Sequence, residues 1–134
     1  MSCILVADDD PLIIRLLEHR LRHRGYNVIS APDGETALDL AIREKPDLIL
    51  LDGMMPGLDG FEVLRRLKEN PETIQIPVVM LTARSQEGDI VDGLTSGAAD
   101  YMVKPFIPEE LIARIQRIVG DGTQEPGGPQ RKAG

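Results

Sequence analysis

The chain has 134 residues, of which 42% are hydrophobic and 28% are charged, and its formal net charge is −7. This length suits one domain with its own hydrophobic core. The negative charge repels phosphate backbones, and a 3% aromatic content without tryptophan offers few surfaces for base stacking, so direct nucleic-acid binding by this chain is not expected.

The first predicted strand and helix have clear sequence signals. The short apolar run CILVA (3–7) predicts a strand that is buried on both faces. Asp10 and Pro11 then predict the N-cap and the first residue of a helix, and Gly25 predicts its end. Helical spacing places four leucines on the apolar side of this helix: Leu12, Leu16, Leu17 and Leu21.

The rest of the chain repeats this alternation four times. The predicted strands are YNVIS (26–30), which alternates as a strand near a sheet edge does, DLILL (47–51), IPVVMLT (76–82) and ADYMV (99–103). The predicted helices are DGETALDLAIREK (33–45), DGFEVLRRLKEN (59–70), the weaker GDIVDGLTSG (88–97) and PEELIARIQRIV (108–119). Five strand–helix repeats predict an α/β fold, with a parallel sheet covered by helices on both faces.

The composition changes at Gly120, where apolar periodicity stops. The segment GDGTQEPGGPQRKAG (120–134) contains five glycines and two prolines. We therefore interpret residues 1–119 as one domain, and residues 120–134 as a disordered tail, the beginning of a linker or an expression remnant.

The cysteine content and the N-terminal sequence bear on the compartment. One cysteine, Cys3, excludes an internal disulfide and is interpreted as a buried, inert thiol in a reducing environment. The start MSCILVADDD does not resemble a signal peptide, and no segment approaches the roughly 20 apolar residues of a membrane span. We expect a cytoplasmic protein that does not contact membranes.

Polar residues stand where the predicted strands end. Asp8 and Asp9 follow the first strand, Asp52 follows the third, Thr82 ends the fourth and Lys104 follows the fifth. In a parallel sheet these positions converge at one edge, where such folds bind ligands. Three close carboxylates need a cation, and oxygen ligands with few dedicated protein groups suit Mg²⁺. A carboxylate beside Mg²⁺ can form an acyl phosphate, while an ammonium and a hydroxyl stabilise the transferring phosphoryl group.

Four segments in this order and spacing resemble one family. ADDD, LLDGMMPGLDG, LTA and YMVKPF together are similar to the receiver domain of two-component response regulators, the CheY-like superfamily, and the resemblance covers residues 3–119. It implies a three-layer, doubly wound (βα)₅ flavodoxin-like fold with a five-stranded parallel sheet of order 2-1-3-4-5.

The resemblance also implies a role for each matched residue. Asp52 would accept a phosphoryl group from a sensor histidine kinase or a phosphotransfer domain. Asp9 would bind Mg²⁺ directly, Asp8 would bind it through water, and the Met54 carbonyl would be the third protein ligand. Lys104, in a cis bond to its proline, would pair with Asp52 and then with a phosphate oxygen.

Further matched positions concern switching and the lifetime of the phosphoryl group. Thr82 would move to the phosphoryl group and Tyr101 would swing inward, which would alter the surface formed by helix 4, strand 5 and helix 5. In this family the second residue after the acceptor, Met54, and the second after the switch threonine, Arg84, tune the lifetime. Neither side chain readily orients an attacking water, so we predict self-dephosphorylation over minutes to hours.

The second half also looks like the branch of receivers that carry winged-helix DNA-binding domains and dimerise through charged pairs. Asp100, Glu110 and Arg114 match that pattern. Four other positions depart from it: Ile90, Asp92, Ala99 and Gln116. We therefore favour a different output or a stand-alone regulator, which acts on a downstream protein or effector domain as a monomer or a weak phosphorylation-dependent dimer.

Two other classes of function compete with a phospho-acceptor switch. A receiver-shaped binding module that does not use phosphorylation has no support from the sequence, since every key side chain is present. A phosphohydrolase would need a second acid two residues after Asp52, where Met54 stands, so multiple turnover is not expected.

His19 and His23 are spaced for a metal, but we interpret the segment EHRLRHR (18–24) as a solvated helix face or a docking site for the kinase partner.

Overall fold

The computed structural model of the chain describes residues 2–120, so residues 121–134 of the predicted tail lie outside it. The strands are β1 (Cys3–Ala7), β2 (Asn27–Ala31), β3 (Leu48–Leu51), β4 (Val78–Thr82) and β5 (Asp100–Val103). The helices are α1 (Pro11–His23), α2 (Gly34–Glu44), α3 (Gly60–Glu69), α4 (Glu87–Thr95) and α5 (Pro108–Val119). The predicted type and order of these elements are confirmed, with boundaries that differ by at most two residues.

The five strands form one parallel sheet in the order β2-β1-β3-β4-β5. This confirms the doubly wound flavodoxin-like fold and places β2 at an edge, as its alternating pattern predicted. Ala7 lies opposite Leu51 in the register, and Thr82 lies opposite Val103. Neighbouring strands therefore end at a common edge of the sheet, and the residues that follow them are brought together there.

Helices cover both faces of the sheet, which explains why β3 and β4 are apolar throughout. One core lies between the sheet and α1 with α5, and its helical residues include Leu17, Leu21, Leu111, Ile112 and Ile115. The second core lies under α2, α3 and α4, and its helical residues include Ala37, Ala41, Val63, Leu64 and Leu67. No helix within residues 2–120 has the length and hydrophobicity needed to cross a membrane.

Local chemistry fixes the helix ends near the site. The side chains of Asp10, Asp33 and Asp59 accept hydrogen bonds from the first turns of α1, α2 and α3 at 2.9, 2.8 and 2.9 Å. Gly25 follows α1 with φ of 93°, as predicted, whereas α2 ends on Lys45 with φ of 45°. The loops that carry the candidate site residues are therefore anchored where the helices begin.

Three expectations about burial change in the structure. Leu12 is 71% exposed and Leu16 is also exposed, because only Leu17 and Leu21 face the sheet directly. Cys3 is only partly buried, since it begins β1 at the amino end of the sheet. Gly93, which makes the sequence pattern of α4 weak, is explained by close packing, because a Cβ at this position would lie 2.9 Å from Cδ2 of the Tyr101 ring.

Candidate functional site

Three carboxylates meet at the carboxyl end of the sheet. Asp8, Asp9 and Asp52 each offer an oxygen, and these oxygens all lie within 4.8 Å of one another. The backbone brings them together, because the Asp52 N–H donates to the Ala7 carbonyl at 2.9 Å and continues the ladder between β3 and β1. Asp8 and Asp52 are buried, whereas Asp9 is exposed. Within residues 2–120 this is the one group of three potential metal ligands.

Lys104 is the cation that compensates this cluster. Its Nζ donates to Oδ2 of Asp8 at 2.7 Å and to Oδ2 of Asp52 at 3.2 Å. Its own N–H donates to the Thr82 carbonyl at 2.8 Å, and its peptide bond to Pro105 is cis. The structure thus brings together the carboxylates and the ammonium that the sequence placed at the ends of separate strands.

Burial and charge shift the ionisation of this group. Burial raises the pKa of the Asp8 carboxyl, and the charge of Asp52 adds to this, against opposing hydrogen bonds from Lys104 and the Asp10 backbone. Burial by itself lowers the pKa of Lys104, but the hydrogen bond to Asp8 and the two carboxylate charges outweigh it and raise that pKa. One firmly held ammonium faces three carboxylates, so the site retains a surplus of negative charge that favours another cation.

The loop after β3 shapes the open side of Asp52. The Met54 N–H donates to Oδ1 of Asp52 at 3.0 Å, while the Met54 side chain is exposed. Gly60, at the start of α3, packs against the chain at Asp52, since a Cβ there would lie 1.9 Å from the Asp52 carbonyl oxygen. Gly57 has φ of 74°, a left-handed conformation that glycine adopts readily. The glycines of this loop therefore let the chain turn tightly beside the carboxylate.

Thr82 and Tyr101 are linked through the backbone of Arg84. The buried Thr82 Oγ1 accepts a hydrogen bond from the Arg84 N–H at 3.3 Å, and the Tyr101 hydroxyl donates to the Arg84 carbonyl at 2.8 Å. The Tyr101 ring is buried against Gly93, and burial, with the charge of Asp89, raises the pKa of its hydroxyl. The two residues of the predicted switch therefore bind the same residue of the β4–α4 loop.

Two neighbours of the site were not predicted from the sequence. The Arg84 guanidinium lies 4.5 Å from the centroid of the Phe61 ring, and its Nη2 donates to Oδ1 of Asp89 at 2.8 Å. Phe61 lies within the predicted helix 59–70 and Asp89 within the weaker predicted helix 88–97, and neither has a predicted role at the site. Their helical patterns gave no signal for this contact, because it depends on where the intervening loops place Arg84.

The remaining predicted surface residues pair within the chain. Arg114 donates to both carboxylate oxygens of Asp100 at 2.9 and 3.0 Å and to Glu110 at 3.0 Å. His19 and His23 stack on α1 with ring centroids 5.8 Å apart. In the described part of the chain, the two histidines do not form a group of three metal ligands with any nearby acid or cysteine.

Comparison with known sequences identifies similar proteins. A family model described as the response regulator receiver domain matches residues 4–116. The alkaline phosphatase synthesis transcriptional regulatory protein PhoP of Bacillus subtilis is 51% identical over 116 residues, which cover 87% of this chain and 48% of that protein. The chain thus spans about half the length of this curated relative.

Solved structures show the same fold over nearly the whole length of the matched chains. The receiver domain of a Francisella response regulator matches with a TM-score of 0.84 and 36% identity over 89% of this chain and 97% of that one. The receiver domain of a sensor histidine kinase from Pseudomonas aeruginosa has a magnesium ion coordinated in its active site cleft. It matches with a TM-score of 0.81 and 35% identity over 90% of this chain and 98% of its own.

Proposed function

The chain belongs to the response regulator receiver domain family of two-component systems, and from this premise we propose that Asp52 accepts a phosphoryl group from a sensor histidine kinase or a phosphotransfer domain. The phosphorus atom forms a bond to an Asp52 oxygen while its bond to the donor's imidazole nitrogen breaks, and that nitrogen keeps the electron pair. The observation that carries the proposal is the meeting of three carboxylates and one ammonium at the strand ends.

The donor set at this edge fits Mg²⁺, which prefers carboxylate, carbonyl and water oxygens. In the proposed site Asp9 and Asp52 would bind the ion directly, Asp8 would bind it through water, and the Met54 backbone carbonyl would be the third protein ligand. When bound, the ion neutralises negative charge on the phosphoryl oxygens during transfer. The closeness of the carboxylate oxygens and the surplus negative charge around them support this assignment.

Lys104 and Thr82 stabilise the transferred group. The Lys104 ammonium already lies 3.2 Å from an Asp52 oxygen, so it is close enough to bind a phosphoryl oxygen instead. Thr82 moves to donate its hydroxyl proton to a second phosphoryl oxygen, and its oxygen is also the acceptor of the Arg84 N–H at 3.3 Å. Both groups act by charge and hydrogen bonding, and neither exchanges a covalent bond.

The signal passes from Thr82 to the surface formed by α4, β5 and α5. Because Thr82 and Tyr101 both bind the backbone of Arg84, a movement of the threonine changes the position of the tyrosine. The ring packs against Gly93 of α4, so its position bears directly on that helix. Phosphorylation thus shifts the population between two arrangements of this surface.

The output of the switch is a downstream protein or an effector domain. The chain acts as a monomer or as a weak phosphorylation-dependent dimer, because Ile90, Asp92, Ala99 and Gln116 depart from the charged pattern of the dimerising branch. It is a phospho-acceptor that catalyses only its own modification, without turnover of a separate substrate. Because the side chains of Met54 and Arg84 do not readily orient an attacking water, self-dephosphorylation takes minutes to hours.

Incubation with acetyl phosphate, with and without Mg²⁺, tests the proposed chemistry by intact mass. One added phosphoryl group is expected in the parent chain with Mg²⁺, and none in Asp52→Asn. Asp39→Asn is the matched control, because Asp39 is an exposed carboxylate on α2 that pairs with Arg43. Equal labelling of the parent and Asp52→Asn, or no labelling of either, would overturn the assignment.

A pull-down with beryllofluoride-treated and untreated protein tests the output. A partner retained only by the treated chain is expected if phosphorylation controls the α4–β5–α5 surface. A partner bound equally by both forms would instead favour a module that does not use phosphorylation.

A further inference from the structure

Arg84 is held on two sides by residues outside the predicted site. Its guanidinium stacks on the Phe61 ring at 4.5 Å and forms an ion pair with Asp89 at 2.8 Å. A planar guanidinium suits this combination, because one face packs on an aromatic ring while its edge donates to a carboxylate. We call these three residues the Arg84 clamp. It joins the β4–α4 loop to α3 on one side and to α4 on the other.

The Arg84 clamp lies beside the phospho-acceptor. A Cβ on Gly53, the residue after Asp52, would lie 2.6 Å from Cε1 of Phe61 and 3.1 Å from Oγ1 of Thr82. The Phe61 ring and the Thr82 hydroxyl therefore both pack against Gly53, the residue that follows Asp52. The Arg84 guanidinium lies over this ring, 4.5 Å from its centroid.

The backbone of Arg84 is already fixed. Its N–H donates to Thr82 and its carbonyl accepts from Tyr101, so the direction of the Arg84 side chain is the main freedom left at this residue. Asp89 is the carboxylate that restrains this direction, through a hydrogen bond to Nη2. Removing that carboxylate leaves the guanidinium with only its contact to the ring.

We propose that Asp89 is a positioning residue that lengthens the lifetime of phosphorylated Asp52 by holding Arg84 against Phe61 at the mouth of the site. This inference rests on the proposed phosphorylation. In hydrolysis, a water oxygen bonds to phosphorus as the bond between phosphorus and the Asp52 oxygen breaks. The carboxylate keeps the electron pair, and the water's proton passes to solvent or to the released phosphate. The Arg84 clamp narrows the approach of that water from the Thr82 side.

The rate of phosphoryl loss tests this role. The parent chain and its variants are labelled with acetyl phosphate and Mg²⁺, the donor is removed, and intact mass is followed over time. Asp89→Ala and Arg84→Ala are each expected to shorten the lifetime by about three- to tenfold, the range set by coupling between contacting residues. The double variant is expected to match Arg84→Ala alone, and Asp89→Glu is expected to restore most of the parent lifetime.

Controls separate positioning from general destabilisation. Asp39→Ala removes an exposed ion pair on α2 and is expected to leave the lifetime unchanged. A structural role for Asp89 would shorten the lifetime equally with or without Arg84, and that result would overturn the inference. An unchanged or longer lifetime in Asp89→Ala would overturn it as well. If the parent chain takes up no phosphoryl group, the proposed function fails and this inference fails with it, a result distinct from labelled variants with equal lifetimes.

Discussion

Replacing Lys104 by methionine is expected to destabilise the protein by about 3–5 kcal/mol at neutral pH without Mg²⁺, the usual cost of leaving buried charges unpaired. The side chains of Asp8 and Asp52 are only 3% and 5% exposed, and that of Lys104 is 17% exposed. At an effective dielectric constant of about 20, unit charges at 2.7 and 3.2 Å attract by about 6 and 5 kcal/mol. The burial of Lys104 offsets part of this attraction, so the net loss is smaller than the sum.

The loss is expected to shrink as the pH falls. Without the ammonium, protonation of Asp8 relieves its repulsion with Asp52, so the pKa of Asp8, which burial and the Asp52 charge already raise, rises further above the ordinary carboxyl value near ~3.9. A carboxyl group whose pKa is higher in the folded than in the unfolded protein favours the folded state at low pH. This contribution is fully present at a pH below the unfolded-state pKa, and it is lost as the pH rises through the folded-state pKa. The variant therefore differs most from the parent at about pH 7.5 and less at about pH 5. The raised pKa of Lys104 keeps its contribution constant in the parent over this range.

Urea unfolding at both pH values, together with thermal melting, measures this effect. A loss of 3–5 kcal/mol corresponds to a fall in Tm of roughly 10–20 °C for a domain of this size. Lys45→Met is the matched control, because Lys45 lies 2.8 Å from Glu72 but both side chains are more than half exposed, and its loss is expected to stay below about 1 kcal/mol. Equal, small losses in the two variants would refute the idea that Lys104 compensates a buried charge cluster.

Three further outcomes follow from the same geometry. Mg²⁺ at about 100 times its Kd is expected to stabilise the protein by about 2.7 kcal/mol, and a chelator should return the melting temperature to its starting value; no shift at millimolar Mg²⁺ would contradict the metal assignment. Gly60→Ala is expected to cost more than about 3 kcal/mol in urea unfolding, because its Cβ would meet the Asp52 carbonyl, whereas Gly88→Ala in α4, with nothing within 4 Å of its Cβ, should gain up to about 1 kcal/mol. Similar unfolding midpoints for these two variants would show that the chain shifts to make room for a Cβ at position 60, and would contradict the prediction. Thr73→Val removes a buried hydroxyl that donates to the Leu67 carbonyl at 2.7 Å and should cost about 1–3 kcal/mol, while Thr73→Ser keeps most of the stability; equal unfolding curves for the two would remove this hydrogen bond as the cause.

The position of the acidic cluster could be predicted from the sequence because it depends on strand ends. Periodicity located β1 and β3, and the parallel sheet that the repeats imply brings the residues after those strands to one edge. Asp8 and Asp52 needed no knowledge of side-chain packing to be placed together. Lys104 followed by the same reasoning from β5.

The contacts of Arg84 could not be predicted in this way. Phe61 and Asp89 reach it from two helices, and the loops between those helices and β4 set the directions of all three side chains. Helical patterns likewise placed Leu12 among the buried leucines, because spacing shows which residues share a face of a helix but not how wide a strip of that face the sheet covers. Sequence spacing therefore fixed the strand-end residues more reliably than the side chains that surround them.

The wide sequence separation within the site has a consequence for synthesis on the ribosome. Lys104 contacts Asp8 across 96 positions of the chain and Asp52 across 52. A nascent polypeptide of which only the first four strands have left the ribosome contains Asp8, Asp9 and Asp52 but not yet Lys104, which contacts two of them. Because Lys104 is added after all three acidic residues, a product that terminates before residue 104 lacks the ammonium that Asp8 and Asp52 contact in the folded domain.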